Sequence, residues 1–352
     1  MGFFDRFKSN KTSALPKGAH LLTVQKVTKL STQAVQITFD VPAELTEKFN
    51  YTPGQYLTLA VTIDGAEFRR SYSICSGIGQ ALSIGVKAIE NGKVSTYLQQ
   101  IEAGASLVVF EPEGHFTLQA AHKTVVAIAA GSGITPIMSM LRSASDVKFE
   151  LLYGNKKPED ALFLSEITEL SNTKTHLFYS QKEVAAAEKG RIDEVALKEK
   201  IKQNLALLQA DAFFLCGPQQ LVETAEKTLA FFGVNPQKIH KELFFVAETN
   251  VQTNEPVFNG TSHVKVMIEG EIAEFDMKGQ DKSILELAEK AGLDAPFSCR
   301  GGVCSSCRAK VLKGSATMRM NHSLTDSEVE AGYILTCQAH ATSPELIISF
   351  DE

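Results

Sequence analysis

The stretch 297-FSCRGGVCSSCRAK-310 puts Cys299, Cys304 and Cys307 within nine residues, and Cys337 follows after 29 more. The remaining cysteines, Cys75 and Cys216, stand alone in a chain of 352 residues, which argues against a disulfide framework. The run C-x4-C-x2-C with a distant fourth cysteine is the plant-type [2Fe–2S] spacing, and soft irons need thiolates. Gly301, Gly302, Ser305 and Ser306 are small enough to let main-chain N–H groups approach the sulfurs. The alternative is a four-cysteine zinc site. Such sites usually show two cysteine pairs, so the spacing favours the cluster.

Around this loop the sequence reads as a small independent unit. HVKVMIEG–EIAEFDMKG, from His263, reads as a β-hairpin, and SILELAEKAG as a short helix. Ser283 and Glu286 form a capping box for that helix, and Gly292 stops it. The acidic run DSEVE, 326 to 330, reads as a solvated helix start, and His322 and His340 as surface residues. Residues 263–352 resemble the plant-type ferredoxin domain. The resemblance implies an α+β β-grasp fold, with Cys299 and Cys304 on one iron and Cys307 and Cys337 on the other. It also implies that the first iron lies nearer the surface. This segment carries 14 Asp or Glu against nine Lys or Arg, nearly the whole net charge of −6. Such a face attracts a basic protein partner and repels nucleic acid.

Upstream, 247-AETNVQTNEPVFNGTS-262 is polar and aperiodic and reads as a linker. Residues 19–120 hold short alternating apolar stretches, such as AVQITFDV and QYLTLAVTI, separated by PG, DG, NG and EG pairs. They predict an antiparallel barrel with one helix at VSTYLQQIEAG, capped by Ser95 and ended by Gly104. Residues 121–246 change pattern: the apolar strand TVVAIAA, the turn GSGITP, then helices and strands in alternation. That order predicts a parallel sheet covered on both faces.

Two motifs in these regions carry chemistry. In 69-RRSYSI-74, Arg70 offers a forked cation, Tyr72 a ring and Ser73 a hydroxyl, although an ordinary amphipathic strand would read the same. In 130-AGSGITPIM-138 a glycine-rich turn opens a helix and can seat a diphosphate on its N–H groups. Taken in order, R-x-Y-S, 92-GKVS-95, 112-PEGHF-116, GSGITP and 215-LCGP-218 resemble the ferredoxin–NADP reductase-like flavoenzyme family over residues 20–246. The resemblance implies that Arg70, Ser71, Tyr72 and Ser73, with Gly92, Lys93, Val94 and Ser95, bind FAD. It implies that Gly131, Gly133, Thr135, Pro136, Gly217 and Pro218 border the nicotinamide nucleotide. Ser73, Cys216 and Phe244 would flank the reacting rings, and Glu242 with Phe244 matches the family's E-x-F. Ser180 and Arg191 would receive a 2′-phosphate, which leans the choice between NADPH and NADH toward NADPH; Gln181 stands where NADPH-preferring relatives carry arginine. With the ferredoxin segment added, the order is similar to the oxygenase reductases of the phenylacetyl-CoA epoxidase type, whose members reduce a diiron partner. A general reductase serving another hydroxylase or a desaturase is the alternative. From another class, a non-catalytic redox sensor or a zinc-stabilised binding module also remains.

The length calls for two or three domains. No apolar run is long enough to span a membrane. The first 18 residues read as a flexible tail and not as a secretory signal, so a cytoplasmic protein is expected.

Overall fold

The computed structural model describes residues 15–244, 258, 260–279 and 282–352. Residues 1–14 of the expected tail and 247–257 and 259 of the expected linker lie outside them. Period-two apolar patterns in the first region build one antiparallel sheet. Its strands are β1 (Ala19–Ser31), β2 (Ala34–Asp40), β3 (Tyr56–Ile63), β4 (Ala66–Ser73), β5 (Ser83–Lys87) and β6 (Ser106–Phe110). The order is β4-β3-β6-β1-β2-β5, with inward residues such as Leu22, Ile37, Leu57, Leu59 and Val109 forming its core.

The one helix of this region, α1 (Lys93–Leu98), differs from expectation. Gly92 is its N-cap, and Ser95 lies inside the first turn. The Ser95 hydroxyl accepts the Ile89 N–H at 3.1 Å and donates to the Gly92 carbonyl at 3.2 Å. It therefore ties the preceding loop to the helix instead of capping it. The helix also ends at Leu98, well before Gly104.

The second region alternates β7 (Thr124–Ala130), α2 (Ile134–Ser143), β8 (Lys148–Asn155), α3 (Leu164–Glu169), β9 (Thr173–Tyr179), β10 (Glu188–Lys189), α4 (Glu194–Gln203), β11 (Ala212–Gly217), α5 (Gln219–Phe231) and β12 (Ile239–Leu243). All neighbours pair in parallel, in the order β10-β9-β8-β7-β11-β12. Helix α2 fastens this sheet to the barrel. Arg142 donates to the Cys75 carbonyl at 2.7 Å, Ser139 to the Ser76 carbonyl at 2.7 Å, and Cys75 and Phe116 join the sheet's core.

The third region holds β13 (Thr261–Ile268), β14 (Glu271–Lys278), α6 (Ile284–Lys290), β15 (Arg308–Lys313), β16 (Ala316–Met318), α7 (Asp326–Glu330), β17 (Tyr333–Leu335), β18 (Ala339–Ala341) and β19 (Glu345–Ser349). The mixed sheet β14-β13-β19-β15-β17 packs on α6. Strand β13 begins two residues inside the span expected as linker. The Ser283–Glu286 capping box is present, and a second one, Thr325–Glu328, starts α7. His340 is not a surface residue: it is 1% exposed, and the whole of β18 is buried.

Candidate redox site

Strand β4 organises the site because its side chains alternate between two faces. Phe68, Arg70 and Tyr72 share one face. Arg70 is exposed there, Tyr72 is half-buried, and Lys93 at the start of α1 lies 5.3 Å from the Phe68 ring. A forked cation, a helix start with Gly92, Lys93, Val94 and Ser95, and an aromatic ring thus meet on one side. That set fits a diphosphate joined to a flat ring system.

The opposite face carries Arg69, Ser71 and Ser73, beside Tyr56 and Thr58 of β3. At its end the Ser73 hydroxyl donates to Glu242 at 3.4 Å. Glu242 follows from the parallel register that sets Cys216 of β11 against it. The residue is half-buried, yet its carboxyl is enclosed by protein, and burial pushes it up to about 8 against the Ser73 hydrogen bond. Burial, reinforced by Glu242, also raises the fully buried Cys216 thiol. The structure thus brings together Ser73 and Cys216, and adds Glu242.

A pH dependence follows. Between the ordinary glutamate range and about pH 8 the folded chain keeps a proton on Glu242 that the unfolded chain has lost. Stability therefore falls as pH rises through that window, by about 1.4 kcal/mol per pH unit at most, and levels off above it. Glu242→Gln removes this dependence. Thermal melts of both proteins at pH 5 and pH 8 should show the variant gaining on the parent as pH rises; parallel curves would refute the assignment.

The nucleotide loop sits next to these groups. Gly133 is packed so closely that a Cβ there would lie 2.1 Å from the Cys216 carbonyl oxygen. Gly131 adopts φ 56°, and its carbonyl accepts the Tyr153 hydroxyl at 3.2 Å. Thr135 and Pro136 are buried, with the Thr135 methyl against Gly85 of the barrel. Gly217 and Pro218 lead from β11 into α5. Phe244 follows β12 and is 40% exposed. Ser180 and Arg191 are both exposed, and the pairing of Tyr179 with Lys189 sets their two short segments side by side. Lys87, unremarked in the sequence, lies near Gly131, and burial lowers its amine.

The four clustered cysteines converge. Cys299 contacts the thiols of Cys304 and Cys337, and Cys307 contacts Cys337. Hydrogen bonds from Cys304 and Cys337, with the Val303 and Gly301 amides, draw the Cys299 thiol far below its ordinary value. Among the described residues no three His, Cys, Asp or Glu side chains are arranged to hold a single ion. A donor set of four thiols fed by main-chain amides fits a two-iron cluster. Cys307 and Cys337 are buried, while Cys299 and Cys304 keep some exposure.

This loop is docked on the other two regions. The Tyr56 hydroxyl donates to the Cys304 carbonyl and lies 3.0 Å from the Ser306 hydroxyl. Ser71 donates to Ser298 at 2.7 Å. Arg69, 7% exposed at its side chain, pairs with Asp294 at 3.5 Å and lies 4.5 Å from the Phe297 ring. Val303 joins the apolar cluster that includes Leu243 of β12. The two faces of β4 thus meet different modules: Arg70 and Tyr72 on one, the cysteine loop on the other. Sequence reading missed Tyr56 and Arg69 because nothing local marks their partners.

Three family models match in the order of the folded regions. They are an oxidoreductase FAD-binding domain over 21–118, an oxidoreductase NAD-binding domain over 127–227, and a 2Fe-2S iron-sulfur cluster binding domain over 266–342. Fold and site define an NAD(P)H-dependent flavin iron–sulfur oxidoreductase that uses FAD and a [2Fe–2S] cluster. The chain is 36% identical to one of the subunits of 1,2-phenylacetyl-CoA epoxidase of Escherichia coli (strain K12), over 94% of this chain and 98% of that one. It is 29% identical to the ferredoxin reductase component of 3-ketosteroid-9-alpha-monooxygenase of Rhodococcus rhodochrous, over 96% and 99%. The solved phthalate dioxygenase reductase superposes with a TM-score of 0.61 at 26% identity, covering 96% of this chain and all of that one. The chain belongs to the ferredoxin–NADP reductase-like family of oxygenase reductases with a C-terminal 2Fe-2S domain. Among the described residues no helix is long and apolar enough to cross a membrane.

Proposed function

We propose that this chain passes electrons from NAD(P)H to a diiron oxygenase of the phenylacetyl-CoA epoxidase type. The supporting observation is the near end-to-end similarity to a component of such an epoxidase, together with a cysteine loop docked on the strand that carries Arg70 and Tyr72. FAD, when bound, would supply the chemistry that links a two-electron hydride donor to a one-electron cluster. In this reading Arg70, Gly92, Lys93, Val94 and Ser95 hold the FAD diphosphate, and Tyr72 packs against its ring. Ser71 belongs to the same strand but turns its hydroxyl to the cysteine loop. Glu242 keeps a proton within reach of Ser73 up to about pH 8. Gly131, Gly133, Thr135, Pro136, Cys216, Gly217 and Pro218 border the nicotinamide nucleotide, Ser180 and Arg191 its 2′-side, and Phe244 covers the flavin until nicotinamide arrives. Cys299 and Cys304 hold one iron and Cys307 and Cys337 the deeper one. The three modules divide as 19–120, 121–246 and 263–352, and four reduced thiolate ligands suit the cytoplasm.

The test is reconstitution. With NAD(P)H, phenylacetyl-CoA and a purified diiron oxygenase component, product formation should require this chain. A chain whose cluster is reduced but which supports no product would overturn the diiron reading. It would leave a hydroxylase or a desaturase as the acceptor.

A further inference from the structure

We infer that Tyr56 is a positioning residue that locks the cysteine loop onto the flavin-binding strand. The inference rests on the reading of Arg70 and Tyr72 as the flavin face. Tyr56 starts β3 directly opposite Ser73, so its ring lies at the point where barrel, nucleotide sheet and cysteine loop meet. It is 5% exposed. A buried phenol needs partners, because an unmatched hydroxyl in a dry site is costly. Its partners are the Cys304 carbonyl, Ser306 and, at 3.4 Å, Glu113. The first two belong to the cysteine loop and are separated from Tyr56 by about 250 residues of chain. With the loop removed, the hydroxyl would keep only the long contact to Glu113. The two bonds to the loop therefore exist only in the docked arrangement.

The neighbouring contacts point the same way. Ser71 and Arg69, spaced along the same face, reach Ser298 and Asp294. Together with Tyr56 they grip the loop at Asp294, Ser298, Cys304 and Ser306, on both sides of Cys299. One face of β4 thereby holds the cluster ligands at a fixed separation from the residues on its other face. The hydroxyl of Tyr56 bonds the cysteine loop and Glu113 and no residue assigned to FAD or nucleotide, so removing that hydroxyl while keeping the ring acts first on the loop.

The experiment uses the complete chain loaded with FAD and cluster. Tyr56→Phe keeps the ring and removes both bonds to the loop. Loss of two hydrogen bonds weakens docking by about tenfold or more. Hydrogen exchange should accelerate by about fivefold in peptides covering both 294–308 and 67–73, as the undocked fraction rises from about a tenth to about a half, while β14 is unchanged. In stopped-flow traces with NAD(P)H, flavin bleaching should keep its rate while the cluster signal slows by about twofold as the docked fraction falls. Asp294→Asn, on the partly exposed end of the ion pair, should slow the cluster signal by less than about 1.3-fold. Unchanged exchange in both peptides, or acceleration in 294–308 alone, would overturn the lock. So would equal slowing of both optical signals. Failure of NAD(P)H to bleach the flavin of the parent chain would instead remove the underlying flavin assignment.

Discussion

Cys304→Ser should abolish delivery of electrons to a one-electron protein acceptor while leaving reduction of the flavin by NAD(P)H intact. A serine hydroxyl stays protonated where a thiol ionises, and its hard oxygen is a poor ligand for iron held by sulfur. The loss should reach about a hundredfold or more, because no second group in the chain replaces the cluster as a one-electron exit. Flavin reduction should change by less than about twofold, since Cys304 belongs to none of the apolar clusters that form the cores of the first two regions. The main-chain carbonyl of residue 304 remains for Tyr56, so the docking contacts survive the change. Parallel absorbance and electron paramagnetic resonance spectra check the outcome. A retained cluster signal with undiminished transfer would remove Cys304 from the ligand set.

The second large effect is expected at Gly133. A Cβ there would lie 2.1 Å from the Cys216 carbonyl oxygen, 2.5 Å from its carbon and 2.8 Å from the Gly217 nitrogen. All three are main-chain atoms, so no side chain can swing away. Its φ of −60° suits any residue, which makes the requirement purely one of space. Gly133→Ala must push the end of β11 away from α2 by more than an ångström, at a cost of about 3 kcal/mol or more. Gly131→Ala is the control. Its φ is 56°, and among the described residues a Cβ there would meet just the flexible Lys87 Nζ, at 3.6 Å. That substitution costs about 1–2 kcal/mol for the left-handed conformation alone. Melting temperatures should rank parent, then Gly131→Ala, then Gly133→Ala. Equal losses would mean that the close approach of the two loops is not what fixes glycine at 133.

What could be read from the sequence was what is local. Thiolate spacing, the G-S-G-I-T-P turn, the Ser283–Glu286 capping box and the change from period-two strands to alternating strands and helices all lie within short windows. Chemistry that depends on distant partners could not be read. The Glu242 carboxyl matched a motif, but its enclosure arises from β11, β12 and Ser73 together. Ser95 looked like a cap because serine often caps, yet Gly92 holds that position and frees the hydroxyl for Ile89. His340 is polar and reads as exposed, whereas every residue of its strand is buried. Tyr56 sat in a plain turn sequence, and only the folded chain brings the cysteine loop to it. The second capping box, T-D-S-E, is itself a short local signature, although the same run also reads as an acidic solvated helix start.

Hydroxyl-to-hydroxyl contacts, one carbonyl contact and a partly solvated ion pair hold the cysteine loop to β4 and its neighbour β3. Two separate proteins joined by so little would part readily. Here both belong to one chain, so their encounter is unimolecular, with an effective concentration of about a millimolar. Contacts about tenfold tighter than millimolar therefore suffice to keep the cluster module seated about nine-tenths of the time. Weak seating also means short residence. Internal electron delivery is then independent of protein concentration, whereas delivery to the oxygenase is a second-order encounter. Dilution starves the oxygenase long before it separates the cluster module from the flavin module.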